Sequence, residues 1–244
     1  MNSYLILGAS SAVAQKFCEQ AIKNGSKLVL VGRNERKLTS LKNHYNTISD
    51  KSILDIITMD FNNVDETKKL ILSLEKWKIE NTLCCWGFLG NDKLAQTNPD
   101  HALEIIQNNF TSYISVISSI LPYYDKLNQG SISVITSVAG ERGRQSNYTY
   151  GTAKGALSIY LEGLRHRLAG KNINILDIKP GFIDTPMTAN FKKGLLWVKP
   201  EKVANDIHLA IAKSRREIYT PFFWRYIMLV IKNIPFFIFK KIRI

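Results

Sequence analysis

Cysteine is scarce: Cys18, Cys84 and Cys85 are the only three in 244 residues. Two of them are sequence neighbours, a placement in which a mutual bridge is strained. No disulfide framework is available, and the expected compartment is reducing, hence cytoplasmic. No apolar run approaches the roughly 20 residues needed to cross a bilayer, and the mean hydropathy of −0.10 excludes a multi-span membrane protein. Met1 leads straight into the apolar stretch Tyr4–Leu7, with no basic segment and long apolar core of a signal peptide before it. Internal repeats, low-complexity tracts and linkers are absent. Acidic residues are also few, 20 against 33 Lys and Arg, giving a net charge of +13, and none follows Glu217. That imbalance favours anionic partners: phosphates, nucleic acid or an acidic membrane surface.

What is present is a regular alternation. Short apolar runs at Tyr4–Leu7, Lys27–Val31, Ser52–Met59, Thr82–Trp86, Ser131–Thr136, Ile173–Ile178 and Glu217–Thr220 read as strands. Between them, Ser11–Lys23, Glu35–Tyr45, Thr67–Trp77, His101–Tyr124, Tyr150–Ala169 and Lys202–Lys213 carry helical spacing. Strand–helix alternation over this length predicts a single α/β domain, a Rossmann-type doubly wound parallel sheet with helices on both faces. A tail begins near Pro221.

Several of the connections carry chemistry. The first strand runs into Gly8-Ala9-Ser10-Ser11-Ala12-Val13-Ala14, small residues opening a helix. Such a turn lets backbone approach a pyrophosphate at a helix N-terminus. Close helix–strand packing is the plainer explanation of the same residues. The second strand ends in Gly32-Arg33-Asn34, with no acid to hold a ribose 2′-hydroxyl. Arg33 suits a 2′-phosphate instead, which predicts NADP(H) over NAD; otherwise it is a solvated charge. Asp60 closes the third strand, where enzymes with a similar turn set an Asp against the adenine; the alternative is the cap of the next helix.

Tyr150-Gly151-Thr152-Ala153-Lys154 places a phenol and an ammonium on one helical face. A free tyrosine titrates near 10 and is a poor acid–base at neutral pH, but a neighbouring ammonium favours its phenolate. Ser137, in Thr136-Ser137-Val138-Ala139-Gly140, lies thirteen residues before Tyr150. This arrangement resembles the short-chain dehydrogenase/reductase family from about residue 3 to 220. By that resemblance Ser137 polarises a substrate carbonyl, Tyr150 donates its proton and Lys154 supports it. Asn109, thirteen residues before Pro122, matches the family's central-helix Asn in a proton relay. Lys179-Pro180-Gly181-Phe182-Ile183-Asp184-Thr185-Pro186-Met187 resembles the segment that contacts the nicotinamide end, through Pro180, Gly181, Ile183 and Thr185.

The sequence departs from the family at two places. Ala12 and Ala14 stand where glycines are usual. After the fourth strand, where the family has NNAG, this chain has Cys84-Cys85-Trp86-Gly87, and only Gly87 survives. The paired cysteines read as core packing rather than a redox couple. No metal site is expected.

The resemblance therefore implies residues 1–220 as a dinucleotide-binding and catalytic domain, an NADPH-dependent ketone reductase that assembles as a homo-oligomer, dimer or tetramer. The tail, 221–244, is aromatic and basic. Arg225, Lys232 and Pro235 break it into short apolar pieces, suited to a membrane–water interface, an oligomer contact or a flap over the site. Lys193-Gly194-Leu195-Leu196-Trp197 and the tail are similar to bacterial reductases of a polyprenyl-phosphate keto-pentose in polysaccharide and cell-wall synthesis. That similarity implies a lipid-linked keto-sugar, a partner flavin oxidase that supplies it, and a position at the inner face of the membrane. A soluble or acyl ketone is the alternative substrate, and a non-catalytic NADP(H) sensor the alternative class. Nucleic-acid binding is not expected, since no aromatic–basic surface motif supports it.

Overall fold

A computed structural model describes residues 2–242. Its seven strands are β1 (Ser3–Leu7), β2 (Lys27–Gly32), β3 (Ile53–Thr58), β4 (Asn81–Cys84), β5 (Gln129–Ile135), β6 (Asn172–Pro180) and β7 (Glu217–Thr220). They form one sheet in the order β3-β2-β1-β4-β5-β6-β7, and every pairing is parallel. The expected fold class is the one observed. Strand side chains alternate between two faces, so Leu5 and Leu7 enter one core while Tyr4 and Ile6 enter the other. All four are buried, which is why the run reads as continuously apolar instead of alternating.

The helices are α1 (Ala12–Lys23), α2 (Glu35–Ile48), α3 (Val64–Lys68), α4 (Leu70–Trp77), α5 (Asp92–Ala95), α6 (Pro99–Ile106), α7 (Ser112–Leu127), α8 (Tyr148–Arg167), α9 (Pro200–Ala212), α10 (Trp224–Asn233) and α11 (Phe236–Phe239). On one face, α1, α2 and α9 cover the core that holds Phe17, Leu38 and Ile207. On the other, α4, α7 and α8 cover Leu74, Ile117 and Leu161. Burying a leucine of this kind stabilises by about 1.5–3 kcal/mol.

The structure corrects some expectations. The helix expected at Thr67–Trp77 begins earlier, because Asn63 accepts from the amides of Asp65 and Glu66 and so caps α3. Asp60 is therefore not the cap; its Oδ1 accepts from Asn62 N at 3.0 Å, inside its own turn. The long helix expected from His101 is interrupted by a π-helical turn at Gln107–Thr111. There the Asn109 amide donates to the Ile105 carbonyl at 2.9 Å, and the Ser112 and Thr111 hydroxyls take the Asn108 and Gln107 carbonyls. Side chains thus occupy acceptors of the ordinary helical ladder. In the tail, Arg225 and Lys232 do not break the chain: α10 runs through both, and Pro235 divides it from α11. No helix among the described residues is long and apolar enough to cross a membrane.

Candidate functional site

Six of the residues singled out above follow the carboxyl ends of six strands. Gly8 follows β1, Arg33 β2, Asp60 β3, Gly87 β4, Ser137 β5 and Gly181 β6. Strand order reverses between β1 and β4, and in open parallel sheets ligands bind in the crevice at such a switch point.

On the β1 side, Gly8 has φ +79, and a Cβ there would meet Trp86 N at 2.7 Å. Only glycine makes this turn, since φ is left-handed and the next strand's connection lies against it. Ser11 caps α1 by accepting from Ala14 N at 3.2 Å. The amides of Ala12 and Val13 open the helix and have no carbonyl four residues back within it, so they are donors for an anion. Val13 and Ala14 are buried, which fixes the turn, while Ser10 is exposed. Asn34 accepts from Lys37 N at 3.0 Å and caps α2, so its carbonyl oxygen is engaged. Arg33 is exposed and makes no ion pair among the described residues. The β2 end lies three strand positions from β5, roughly 14 Å at about 4.8 Å per strand. Arg33, Asn34 and Asp60 are thus apart from Ser137, Tyr150 and Lys154, as the two ends of an extended dinucleotide require.

The second cluster is compact. Lys154 is buried; its Nζ donates to the Ile135 carbonyl at 2.9 Å and lies 4.8 Å from the Tyr113 ring centroid. Desolvation lowers its pKa to about 8, against an opposing pull from Asp177. Asp177 is itself buried and accepts from the Thr136 hydroxyl, and burial raises its carboxyl. Tyr150 lies in the first turn of α8; burial raises its phenol to about 12, while the Ser137 side chain beside it works in the opposite direction. Ser137 Oγ also accepts from Ala139 N at 3.0 Å, which holds the turn after β5. Asn109 is fully buried, with Oδ1 accepting from Phe88 N at 3.1 Å.

Gly87 explains why one residue of the family's segment survives. A Cβ on it would lie 3.1 Å from Asn109 Oδ1 and 3.9 Å from Lys154 Nζ. Glycine keeps open the space between these two polar groups. In place of the usual asparagines, Trp86 stacks between Phe61 and Tyr113, at 4.4 and 3.7 Å between centroids, and donates to Ser112 Oγ at 3.0 Å. The aromatic stack braces β4 against α7. Cys84 and Cys85 are buried, and desolvation raises both thiols, so they stay protonated and pack as core.

On the β6 side, Gly181 is pressed by α10: a Cβ there would fall 1.8 Å from Trp224 Nε1. Phe182 meets Trp224 edge-on at 5.2 Å and stacks on Trp197 at 5.2 Å. The segment returns on itself through Val198 N to Phe182 O and Asp184 N to Val198 O. Thr185 and Thr188 form a capping box over a short 3₁₀ turn, and the Thr188 hydroxyl takes the Ile183 carbonyl at 2.7 Å. Ile183 and Thr185 are thereby held by local contacts, beside buried Pro180.

Two features escaped the sequence. Arg144 is buried with no carboxylate partner among the described residues; its Nη2 donates to the Val138 carbonyl at 3.2 Å and lies 4.0 Å from Met228 Sδ. Burial lowers its pKa. It ties the turn after Ser137 to α10. Trp224 and Met228 form with Val138 a third core, so the start of the tail is a wall of the site. Nothing in the local pattern around Arg144 signals either contact: Val138 is near in sequence but reached only through the fold of the turn, and Met228 comes from the distant tail.

The comparisons agree with this geometry. The short chain dehydrogenase family model matches residues 2–195. An uncharacterized oxidoreductase of Mycobacterium tuberculosis is 27% identical over 241 residues, covering 97% of this chain and 95% of that protein. A dehydrogenase/reductase SDR family protein 7-like of Dictyostelium discoideum is 29% identical over 233 residues, covering 88% and 72%. Among solved structures, an actinorhodin polyketide ketoreductase with NADPH has a TM-score of 0.79 at 19% identity, covering 88% and 94%. Serine dehydrogenase from Escherichia coli has 0.76 at 21%, covering 89% and 96%. At such identities the two structures speak for the fold alone. With the family model spanning most of its length, the chain belongs to the short chain dehydrogenase family and is an oxidoreductase.

Proposed function

We propose that this oxidoreductase is an NADPH-dependent ketone reductase in which Ser137, Tyr150, Lys154 and Asn109 handle the proton. The observation that carries this reading is their convergence: buried Lys154 donates to the Ile135 carbonyl at the end of β5, two residues before Ser137, Tyr150 stands one turn before it on α8, and Gly87 holds space between Lys154 and Asn109. A nicotinamide cofactor fits the crevice, because the Gly8–Val13 turn offers small residues and unpaired amides and Arg33 offers a free cation. Gly8, Ser10, Ser11, Ala12 and Val13 would hold its pyrophosphate, Arg33 and Asn34 its 2′-phosphate and Asp60 its adenosine side, with Gly87 lining the crevice beside Lys154. Pro180, Gly181, Ile183 and Thr185 would line its nicotinamide end, and Tyr150 and Lys154 would also contact it. When bound, that group supplies a hydride to a carbonyl carbon.

The chain's own part is acid catalysis. With its phenol raised to about 12, Tyr150 is protonated at neutral pH and is placed to donate to a carbonyl oxygen. The Ser137 hydroxyl hydrogen-bonds the same oxygen and stabilises charge as it develops there. Lys154, one turn along α8, carries an ammonium that would favour the phenolate Tyr150 becomes. The buried Asn109 fixes the Phe88 backbone and, across Gly87, faces Lys154, a route for returning the proton.

The substrate in this reading is a lipid-linked or polysaccharide-precursor keto-sugar. It is supported by the aromatic wall of Phe182, Trp197 and Trp224 and by the similarity of residues 190–244 noted above. Purified protein incubated with deuteride-labelled NADPH and a candidate ketone should yield an alcohol one deuterium heavier. Transfer to simple soluble ketones with no preference for a lipid-linked sugar would refute the substrate, and no label in any product would refute the reductase.

A further inference from the structure

An α-helix that is apolar all round is normally enclosed. Helix α10 is apolar around most of its circumference, with Arg225, Lys232 and Asn233 the exceptions, but the protein encloses only one side of it. Trp224 and Met228 are buried against Val138, with Ile227 and Ile231 packed on that cluster. On the opposite side Tyr226, Leu229 and Val230 are 63%, 61% and 64% exposed. At 100° per residue these three share one face. Beyond Pro235, Phe236 and Phe237 are 73% and 65% exposed. Arg142 holds the junction in place: its guanidinium donates to the Lys232 and Ile234 carbonyls and lies 4.5 Å over the Phe239 ring. The outward face is thus fixed on the body and is not a loose end.

Charge says what covers it. Arg225 and Lys232 lie along one edge of the exposed stripe of α10, and Lys240 and Lys241 follow α11; all four are exposed, no acid follows Glu217, and of the four Lys232 also reaches an acid of the body, Glu141 Oε2 at 3.8 Å. A second copy packed face to face across a twofold axis would set these cations against themselves, because such an interface is self-complementary. A bilayer bearing anionic headgroups satisfies both features, taking the apolar stripe into the acyl boundary and the cations into the headgroups. We propose that the outer face of α10 and α11 docks on an anionic lipid surface. Trp224 touches Phe182 and Phe182 stacks on Trp197, so the docked face borders the wall of the candidate cleft. This inference stands on the surface itself and does not depend on the keto-sugar reading.

The test is sedimentation of the full chain with vesicles of phosphatidylcholine alone and of phosphatidylcholine containing about one quarter phosphatidylglycerol. The protein should pellet with the anionic vesicles, remain in solution with the neutral ones, and be released as salt rises from about 0.1 to 1 M. Lys240→Glu/Lys241→Glu should lower the partition at least about 25-fold, at about fivefold per basic residue. Leu229→Asp/Phe236→Asp should abolish pelleting while NADPH-binding fluorescence stays unchanged, which shows that the variant is folded. The proposal is overturned if the wild type stays in the supernatant with anionic vesicles, or if the face variants pellet as before. It is equally overturned if light scattering shows an oligomer that Leu229→Asp/Phe236→Asp takes apart, since the face then binds a second copy.

Discussion

Lys154 gives the sharpest energetic test, because it is a cation held where the fold would prefer none. Replace it with methionine, which keeps the stem and removes the charge. Burial moves the ammonium from its ordinary 10.5 to about 8, and at about 1.4 kcal/mol per pKa unit this corresponds to roughly 3 kcal/mol. The sign follows from proton linkage. An unfolded chain binds the proton as pH falls through about 10.5, but the folded one binds it only near 8, so the unfolded state holds more protons between them. Wild-type stability from this group therefore rises with pH across that window, and its full cost is present below about 8. Methionine does not titrate. It does leave the Ile135 carbonyl without its 2.9 Å donor, a cost of about 1–3 kcal/mol at any pH. Near pH 7 the Lys154→Met protein should thus be between about equal to and about 2 kcal/mol more stable than wild type. Near pH 11 it should be about 1–3 kcal/mol less stable. Urea unfolding followed by tryptophan fluorescence, at equal m-values, measures both differences. A variant-minus-wild-type difference that is flat from pH 7 to 11 refutes the reasoning, because then Lys154 carries no desolvation cost.

Three further outcomes are expected. Arg33→Asp should lower kcat/KM for NADPH roughly 10- to 100-fold while that for NADH falls far less, as loss of a charge-assisted contact of about 1.5–3 kcal/mol requires; an unchanged NADPH/NADH ratio in steady-state rates refutes the role given to Arg33. Gly181→Ala places a methyl 1.8 Å from Trp224 Nε1 and should destabilise by about 1–3 kcal/mol, with limited proteolysis opening near Pro221; wild-type protease resistance counts against the packing described. Asn109→Ala removes the partners of Phe88 N, Phe88 O and Ile105 O and should cost about 2–4 kcal/mol in urea unfolding, together with a slower turnover; full turnover in a folded variant removes Asn109 from the proton route.

The strands were legible because a parallel sheet covered on both faces needs runs such as Leu5-Ile6-Leu7 and Leu28-Val29-Leu30-Val31, which leave no polar alternation to confuse them. The clustering of Ser137, Tyr150 and Lys154 was legible through spacing, since β5 and α8 are consecutive and the two α8 side chains stand one turn apart. The π turn around Asn109 was not. It shifts the helical ladder by one residue, and apolar periodicity across Ile105, Tyr113 and Val116 hardly registers that slip. The cause is a side chain taking a main-chain acceptor, which hydrophobic pattern does not encode. Trp86 looked like a departure from the family, and only its stack between Phe61 and Tyr113 shows what it replaces. Arg225 and Lys232 read as interruptions along a linear apolar run; on a helix, both fall along one edge.

Whether Tyr150 donates the proton is the central question, and single-turnover reduction by the Tyr150→Phe protein answers it most directly. With NADPH binding measured by fluorescence in the same sample, binding should stay within about threefold of wild type while the reduction rate falls by about 10²–10⁴, the usual worth of a positioned acid. A Tyr150→Phe protein that binds NADPH and reduces the ketone at the wild-type rate would contradict the account.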